Sequence, residues 1–415
     1  METFKAGTAK GIITPKISLP MTRRSGQILP DPAKTYHPLY ARVLVLNDGE
    51  KRFVVITHDL SSLTYTTGLL RQRCQRELGI DAHHLAPIAT HNHQAPLMRL
   101  EANRPYGEWL ADRIFDLIKE AMTREQPARV YFGRGRAGFA RNQEWRAPAD
   151  HEVQLLKVES KGKPFAFLFN YASHPSGWAV ATYGPDYPGF ATTEIEQKIP
   201  GATAMFGQGC GADQFFITPK GCDDPLEAIQ RRGKELAEEV LRISDGPMQE
   251  VTGSLASRLE VLELPLALPI SEEEALKQAE EENHPKWIDS VLEHYRTGEP
   301  FPTTYPEEVI VAQIGSLAFI AMQGEVCSPI GTRIKDILGE AMPAMLFAYM
   351  GEKEIYIPSR EIIRVDSYQA EVVRSMGGSP CAWAPEVEDE TVKAVVGTVV
   401  PPEELKEMEE RGLAA

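Results

Sequence analysis

The sequence predicts one large α/β domain, layered, with mixed β-sheets flanked by helices. Three observations carry that prediction. β-rich apolar runs alternate with segments of helical period through the first third of the chain. Several apolar strands end directly in turns that bear histidine or glycine. The 415 residues hold no repeat, no low-complexity linker and no obvious boundary, so 1–415 reads as a single catalytic-size domain.

The elements follow in order. Residues 41–47 and 52–57 are strand-type runs joined by Asp48-Gly49-Glu50, a hairpin signal. Residues 65–78 place apolar side chains at helical spacing, and Gly79 stops them. Leu85 to Thr90 has a buried-strand pattern and delivers His91 at its end. Residues 105–122 alternate apolar and polar faces with the 3.6-residue period of a helix. Segments 130–133, 153–158 and 165–170 read as strands, the last two joined by Ser160-Lys161-Gly162-Lys163. A helix with a mixed-charge face spans 224–243, and 251–267 returns to a strand pattern. Ser271 with Glu274 forms a capping box that opens an acidic run, so 271–300 is expected as an exposed helical insertion. Two strands near 308–323, a helix near 331–339 and a strand near 343–349 close the regular part. Pro401-Pro402 and the acidic stretch beyond make 385–415 a peripheral tail.

Composition narrows the function classes. Apolar residues at 42% and charged residues at 25% are ordinary globular values and exclude wholesale disorder. A net charge of −15 repels polyanions and argues against nucleic acid as a partner. Cys74, Cys210, Cys222, Cys327 and Cys381 are scattered and never form a C-x-x-C pair, which points to a reducing compartment rather than a disulfide framework. The amino-terminal residues carry no signal-type apolar run, and no stretch approaches the roughly 20 apolar residues that span a bilayer. The expectation is a cytoplasmic protein without stable membrane insertion, acting on a small molecule; homo-oligomerisation is left open.

Three segments carry chemistry. In Thr90-His91-Asn92-His93-Gln94-Ala95-Pro96, residues two apart point to one face of an extended chain, so His91 and His93 can converge on one ion. The bland alternative is a pair of polar loop histidines. His174 ends the apolar strand Phe167–Tyr171 at the rim of a sheet, where α/β proteins place functional groups; alternatively it is a buried histidine bonded to backbone. Gln208-Gly209-Cys210-Gly211 lets backbone approach a ligand closely and offers N–H donors to a developing oxyanion. No Gly-Lys-Ser/Thr follows it, so it is not a phosphate loop.

Together these segments resemble the neutral, non-lysosomal ceramidase family. Ala6-Gly7-Thr8-Ala9-Lys10-Gly11-Ile12-Ile13-Thr14-Pro15 looks like the family's opening, and Leu39–Leu46 followed by Asp59 looks like its next strands. The Thr-His-x-His-x-x-Pro segment is similar to the family's metal motif, and Asn170-Tyr171-Ala172-Ser173-His174 to its second histidine motif. Gln323-Gly324-Glu325 resembles a Pro-Gly-Glu segment, and Ile355-Tyr356-Ile357-Pro358-Ser359 the segment whose tyrosine completes the site. The match runs with gaps from about residue 5 to 370 and rests on the order and spacing of these motifs.

The resemblance implies a neutral-ceramidase-like domain holding one Zn²⁺ per chain through His91, His174, Glu325 and Tyr356. His93 then lies within reach of bound water or substrate as the acid/base group, although the spacing alone does not separate His91 from His93 as ligand. Tyr356 would stabilise the oxyanion, and Gln208, Gly209 and Gly211 would face the substrate. The implied reaction is hydrolysis of a C–N amide bond by metal-activated water. Arg141 and Asn142 follow a strand near an Asn-Arg pair of the family and are expected to contact substrate. Asp186-Tyr187-Pro188-Gly189 resembles a segment near the site, with a helix start as the alternative. His58 and Asp59 are candidates for a supporting layer, His37 for the cleft, and Phe215, Phe216 and Trp178 for an apolar lining. His83, His84, His151, His284 and His294 lack convergent partners.

The departures are specific. Family ceramidases have a serine in the stretch aligned with Gly211-Ala212-Asp213-Gln214-Phe215-Phe216; none stands here. That favours direct attack by water and makes Asp213 a candidate for orienting a histidine. The length also leaves no room for the family's additional β-sandwich. A small ester, lactone or sugar-derived amide is therefore a competing substrate class, and a metal-stabilised binding protein without turnover is the competing non-enzymatic reading.

Overall fold

The computed structural model describes residues 4–21, 34–143, 148–175, 182–401 and 403–406. Its elements begin with β1 (Phe4–Ile12), β2 (Tyr40–Asn47), β3 (Arg52–His58), α1 (Thr67–Leu78), β4 (Leu85–Ala89) and α2 (Arg104–Thr123). Next come β5 (Gln126–Arg136), β6 (Ala140–Asn142), β7 (Glu152–Ser160), β8 (Lys163–Tyr171), α3 (Asp186–Lys198), β9 (Thr203–Gln208), β10 (Gln214–Phe216) and α4 (Pro225–Asp245). The third part holds β11 (Gln249–Val251), β12 (Leu255–Pro265), α5 (Glu272–Ala279), α6 (Lys286–Thr297), β13 (Thr304–Ile314) and β14 (Leu317–Gln323). The chain then forms β15 (Glu325–Val326), α7 (Ser328–Ala341), β16 (Ala344–Met350), β17 (Tyr356–Ile357), α8 (Arg360–Arg364), α9 (Tyr368–Ser375) and α10 (Val387–Gly397).

Local signals behave as their chemistry requires. Gly79 closes α1 in the left-handed region and returns its N–H to the last carbonyls. The Asp48 carboxylate accepts from the Glu50 and Lys51 N–H groups and shapes the hairpin between β2 and β3. The Ser271 hydroxyl accepts from the Glu274 N–H at 3.2 Å, as the capping box predicts.

Most strands belong to one 13-stranded mixed sheet in the order β12-β13-β14-β16-β4-β3-β2-β1-β5-β7-β8-β9, with β11 beside β5. The sheet folds back on itself, so that β9 at one end lies against β3, β4 and β16. Inner faces from both halves meet in an apolar layer: Phe53 stands edge-on to Phe319 at 5.2 Å, and Phe319 meets Phe347 at 5.1 Å. Outside it, α1 and α2 cover β1–β4, α3 and α4 cover β7–β9, and α7, α9 and α10 cover β12–β16. The backbone edge of β16 facing the other half is satisfied by side chains. Gln154 exchanges hydrogen bonds with Leu346 N and Ala344 O, and Asn170 donates to Leu346 O.

One element was not expected and one expectation needs correcting. Strand β1 lacks clean alternation and carries Gly7 and Gly11, residues that ordinarily weaken a strand. A Cβ at Gly7 would collide with the Ala121 carbonyl, so glycine there lets α2 lie directly on the strand. The 385–415 segment is not peripheral throughout: Val387, Val392, Val395 and Val396 of α10 are fully packed in the core, and residues past 406 lie outside the described residues. Helices α5 and α6 in the acidic region build a small core of their own from Ala275, Trp287, Ile288 and Val291.

One buried acid makes stability depend on pH. Both carboxylate oxygens of Glu307 are buried without a hydrogen-bond partner among the described residues, and Lys353 Nζ is 3.9 Å away. Burial outweighs that lysine and pushes the Glu307 carboxyl up to about 8. Its unfolded value is about 4.3, so between the two the folded chain holds a proton that the unfolded chain releases, and stability falls as pH rises through this window. Glu307→Gln is expected to remove that slope and to stabilise the protein at pH 9 by a few kcal/mol, about 1.4 kcal/mol per pH unit, with little change at pH 4.5. Denaturant curves at the two pH values check it, and parallel curves for both proteins would refute it.

Candidate metal centre

The sheet delivers its polar residues at the carboxyl ends of parallel neighbours. β3 pairs with β4, β8 with β9, and β14 with β16, all in parallel. His91 follows β4, His174 follows β8, the glycine loop follows β9, Glu325 follows β14, and Tyr349 stands near the end of β16. Because the sheet folds over, these ends converge at one rim, the usual location of an α/β site.

At the centre is His91 Nε2. It lies 3.1 Å from His174 Nε2, 3.1 Å from His93 Nε2 and 3.1 Å from Glu325 Oε2. His174 Nε2 is 3.4 Å from the same carboxylate oxygen. His91, His174 and Glu325 are buried and His93 partly so. Glu325 Oε2 nonetheless has no well-aligned hydrogen-bond donor among the described residues. The His174 Nδ1–H donates to the Gly211 carbonyl at 2.9 Å, which leaves Nε2 as the lone-pair nitrogen; His91 Nδ1 faces Ser61 O at 3.4 Å.

These side chains form a group that could hold a metal ion at its middle. A proton shared by His91 and Glu325 would serve one pair and leave the Nε2 lone pair of His174 pointing into the cluster. A divalent cation between them would serve His91, His174 and Glu325 together. Ligands about 2.0–2.1 Å from Zn²⁺ stand roughly 3.3 Å apart in a tetrahedron, the spacing seen here, and imidazole with carboxylate is a donor set zinc accepts. Without an ion, the carboxylate and the imidazoles shift one another's protonation. Burial pushes the Glu325 carboxyl up, but His91 and His174 outweigh it and hold it well below the usual carboxylate range. Burial pulls His91 down, yet Glu325 leaves it raised. His93 is held well below its usual value by burial and by the two neighbouring imidazoles, so its ring is neutral.

Backbone strain marks the same place. His91 has φ 57° and Tyr349 φ 57°, left-handed values that non-glycine residues adopt only when surroundings hold them. The Tyr349 ring lies 4.3 Å from that of His91, and its buried hydroxyl has no partner among the described residues. Sequence reasoning missed Tyr349; the available signal was a tyrosine near the end of a wholly apolar strand.

The remaining predicted residues take definite places. Tyr356 pairs with Glu325 in register between β17 and β15, and its hydroxyl meets that of Tyr368 at 3.3 Å. Burial and then the Glu325 charge keep the Tyr356 phenol well above its ordinary value. Asp213 accepts from Ser328 N at 2.7 Å, Ser328 Oγ at 3.0 Å and Asn142 Nδ2 at 2.7 Å. It therefore caps α7, and the acceptor that orients His174 is the Gly211 carbonyl instead. Asn142 is committed to Asp213, while Arg141 sits on β6 opposite Phe215. The Gly209 N–H is spent on Tyr171 O, and Ala212 N–H on Val326 O, so those loop donors are not free for an oxyanion. A Cβ at Gly211 would stand 2.8 Å from the Ala172 carbonyl carbon; glycine lets the loop pack against the strand exit that carries His174. Gln208 is buried with neither side-chain atom partnered among the described residues. Phe215 stacks on His174 at 5.1 Å, and Phe216 packs under α3. His58 is buried and pulled down to about 3 by burial, hence neutral, with no ring hydrogen bond among the described residues. His37 faces Thr193, away from the cluster. Trp178 lies outside the described residues.

No protein-family model and no curated protein matches the chain. Solved structures do. Neutral ceramidase from Pseudomonas aeruginosa superposes with a TM-score of 0.76 at 17% identity, over 95% of this chain and 74% of that one. A ceramidase complexed with C2 gives a TM-score of 0.75 at 17% identity, over 97% of this chain and 76% of that one. The chain has the neutral-ceramidase-like fold, a mixed α/β domain. Among the described residues no helix is long and apolar enough to cross a membrane.

Proposed function

We propose that the protein is a divalent-metal hydrolase, with one Zn²⁺ per chain, that cleaves a C–N amide bond in a small, lipid-amide-like molecule. The observation that carries this reading is the cluster of three imidazoles, His91, His93 and His174, with the Nε2 atoms of His91 and His174 set against Glu325 Oε2. His91, His174 and Glu325 would hold the ion, with Tyr356 beside Glu325 on the paired strand. A metal bound there lowers the pKa of a water and polarises a carbonyl. The chain's own groups do the rest. His93, neutral at pH 7, offers a nitrogen that takes the nucleophile's proton and returns it to the leaving amine. Tyr356, kept protonated, donates to the oxyanion. Arg141 and Gln208 are the remaining substrate-facing candidates. We place the protein in the cytoplasm, in keeping with five cysteines that are all free and buried.

His93→Ala is expected to keep its metal and lose about 10²- to 10⁴-fold in turnover, read by metal analysis beside kinetics. Undiminished turnover would remove His93 from this role. The second reading, a small ester or lactone, draws on the serine-free stretch 211–216. Its Asp213 and Gly211 are occupied with α7 and His174 rather than with a nucleophile. Parallel assays with N-acyl amides of graded chain length and with short esters and lactones decide between the two: preference for long acyl amides supports the first, and ester-only turnover replaces it.

A further inference from the structure

We infer that Asn92, the residue between the two histidines, is the positioning residue that sets the geometry of the cage; the inference rests on the cation-holding reading above. Asn92 is fully buried, and its carboxamide joins three separate segments. Nδ2 donates to Asp59 O at 3.0 Å, beyond β3, and to Gly184 O at 2.9 Å, ahead of α3. Oδ1 accepts from Gln94 N at 2.9 Å, and the backbone N–H of Asn92 reaches Leu60 O at 3.2 Å. Two donors and one acceptor at that length are available from asparagine alone. Aspartate lacks the donors, serine has one, and glutamine is a methylene too long.

The next residue extends the clasp. Gln94 donates to Asp186 Oδ2 at 3.3 Å and accepts from the Tyr36 hydroxyl, which in turn accepts from Asp186 N at 3.0 Å. Gly184 N returns a bond to Gln94 O at 3.1 Å. The clasp is built on the loop that carries both histidines and ties it to the chain beyond β3 and ahead of α3. Its consequence is conformational: His91 is held at φ 57°, a strained conformation for a non-glycine residue that persists only where the surroundings fix it. Without the carboxamide, His91 relaxes toward an ordinary backbone conformation and its Nε2 leaves the centre of the cluster.

The test uses the full chain, stripped with chelator and titrated with Co²⁺, whose visible absorption reports ligand number and geometry. Asn92→Ala and Asn92→Asp are expected to bind Co²⁺ about 10- to 100-fold more weakly than the parent, with an altered absorption band. A residue that served only the fold would lower the melting temperature and leave affinity and spectrum unchanged in the folded protein. That outcome overturns the inference. Should Asn92→Ala fail to fold, Asn92→Ser, which keeps one donor, is read in its place under the same criteria. A parent protein that binds no Co²⁺ refutes the cation site and the inference with it, whereas normal parent binding with unaffected variants refutes the role of Asn92 alone.

Discussion

His174→Ala is expected to empty the centre of its metal and to abolish hydrolysis. The His174 imidazole is buried, its Nδ1–H is anchored on Gly211 O, and its Nε2 stands 3.1 Å from His91 Nε2 and 3.4 Å from Glu325 Oε2. Alanine removes one donor from the cluster. Loss of the several kcal/mol that a metal contributes to a charged transition state corresponds to a fall of at least about a thousandfold. Elemental analysis should show roughly one ion per parent chain and almost none in the variant. His91→Ala should behave alike, since His91 Nε2 touches every other donor. Glu325→Gln keeps the shape but removes the charge, and is expected to retain a weak site at best. Full metal content together with full activity in His174→Ala would refute the assignment.

The largest expected loss of stability lies a short distance away. Arg42 and Asp59 form an ion pair at 3.2 Å with both side chains almost wholly buried, and Arg42 also donates to Thr192 Oγ1 at 3.1 Å. Asp59 accepts from Tyr40 N at 2.8 Å as well. Burial raises the Asp59 carboxyl even with the guanidinium beside it, so desolvation consumes most of the Coulombic gain. The asymmetry that follows is testable. Asp59→Asn leaves a guanidinium uncompensated in the core and is expected to cost about 3–5 kcal/mol, a large share of a typical folding free energy. Adding Arg42→Met should restore most of it, because the buried charge is gone. Denaturant unfolding of the two single variants and the double variant measures the coupling; a single-variant loss below about 1 kcal/mol would show the pair to be solvent-screened. Asn92 binds the Asp59 backbone carbonyl rather than its side chain, so the substitution leaves that clasp its acceptor.

Much of this was legible beforehand, and for a local reason. Apolar periodicity and strand-end position depend on neighbours in sequence, so His91 and His174 could be picked out as strand-exit residues, and the caps at Ser271 and Gly79 could be read directly, whereas Glu325 was named only through the family resemblance. Strand β1 was obscured because its glycines serve a partner helix more than a hundred residues away. Helix α10 was obscured because its valine-rich face matters only once α7 and β12 stand beside it. The glycine loop was legible as a close approach but not as to what it approaches: its carbonyl orients His174, while its N–H groups at Gly209 and Ala212 are already bonded.

By itself the sequence determined the α/β class and the strand ends that carry His91 and His174, since these follow from residue type and period; Glu325 and Tyr356 entered only through the family resemblance. Only the tertiary structure decided that His91, His93 and His174 come together with Glu325 beside the first and third, that Asp213 serves α7 rather than a histidine, and that Tyr349 and Asn92 stand at the same loop. The physical reason is the folding over of the sheet. Side chains from strands far apart in sequence are brought within 3.1–3.4 Å only when the inner apolar faces of its two halves pack together, and no pattern confined to one segment encodes that meeting.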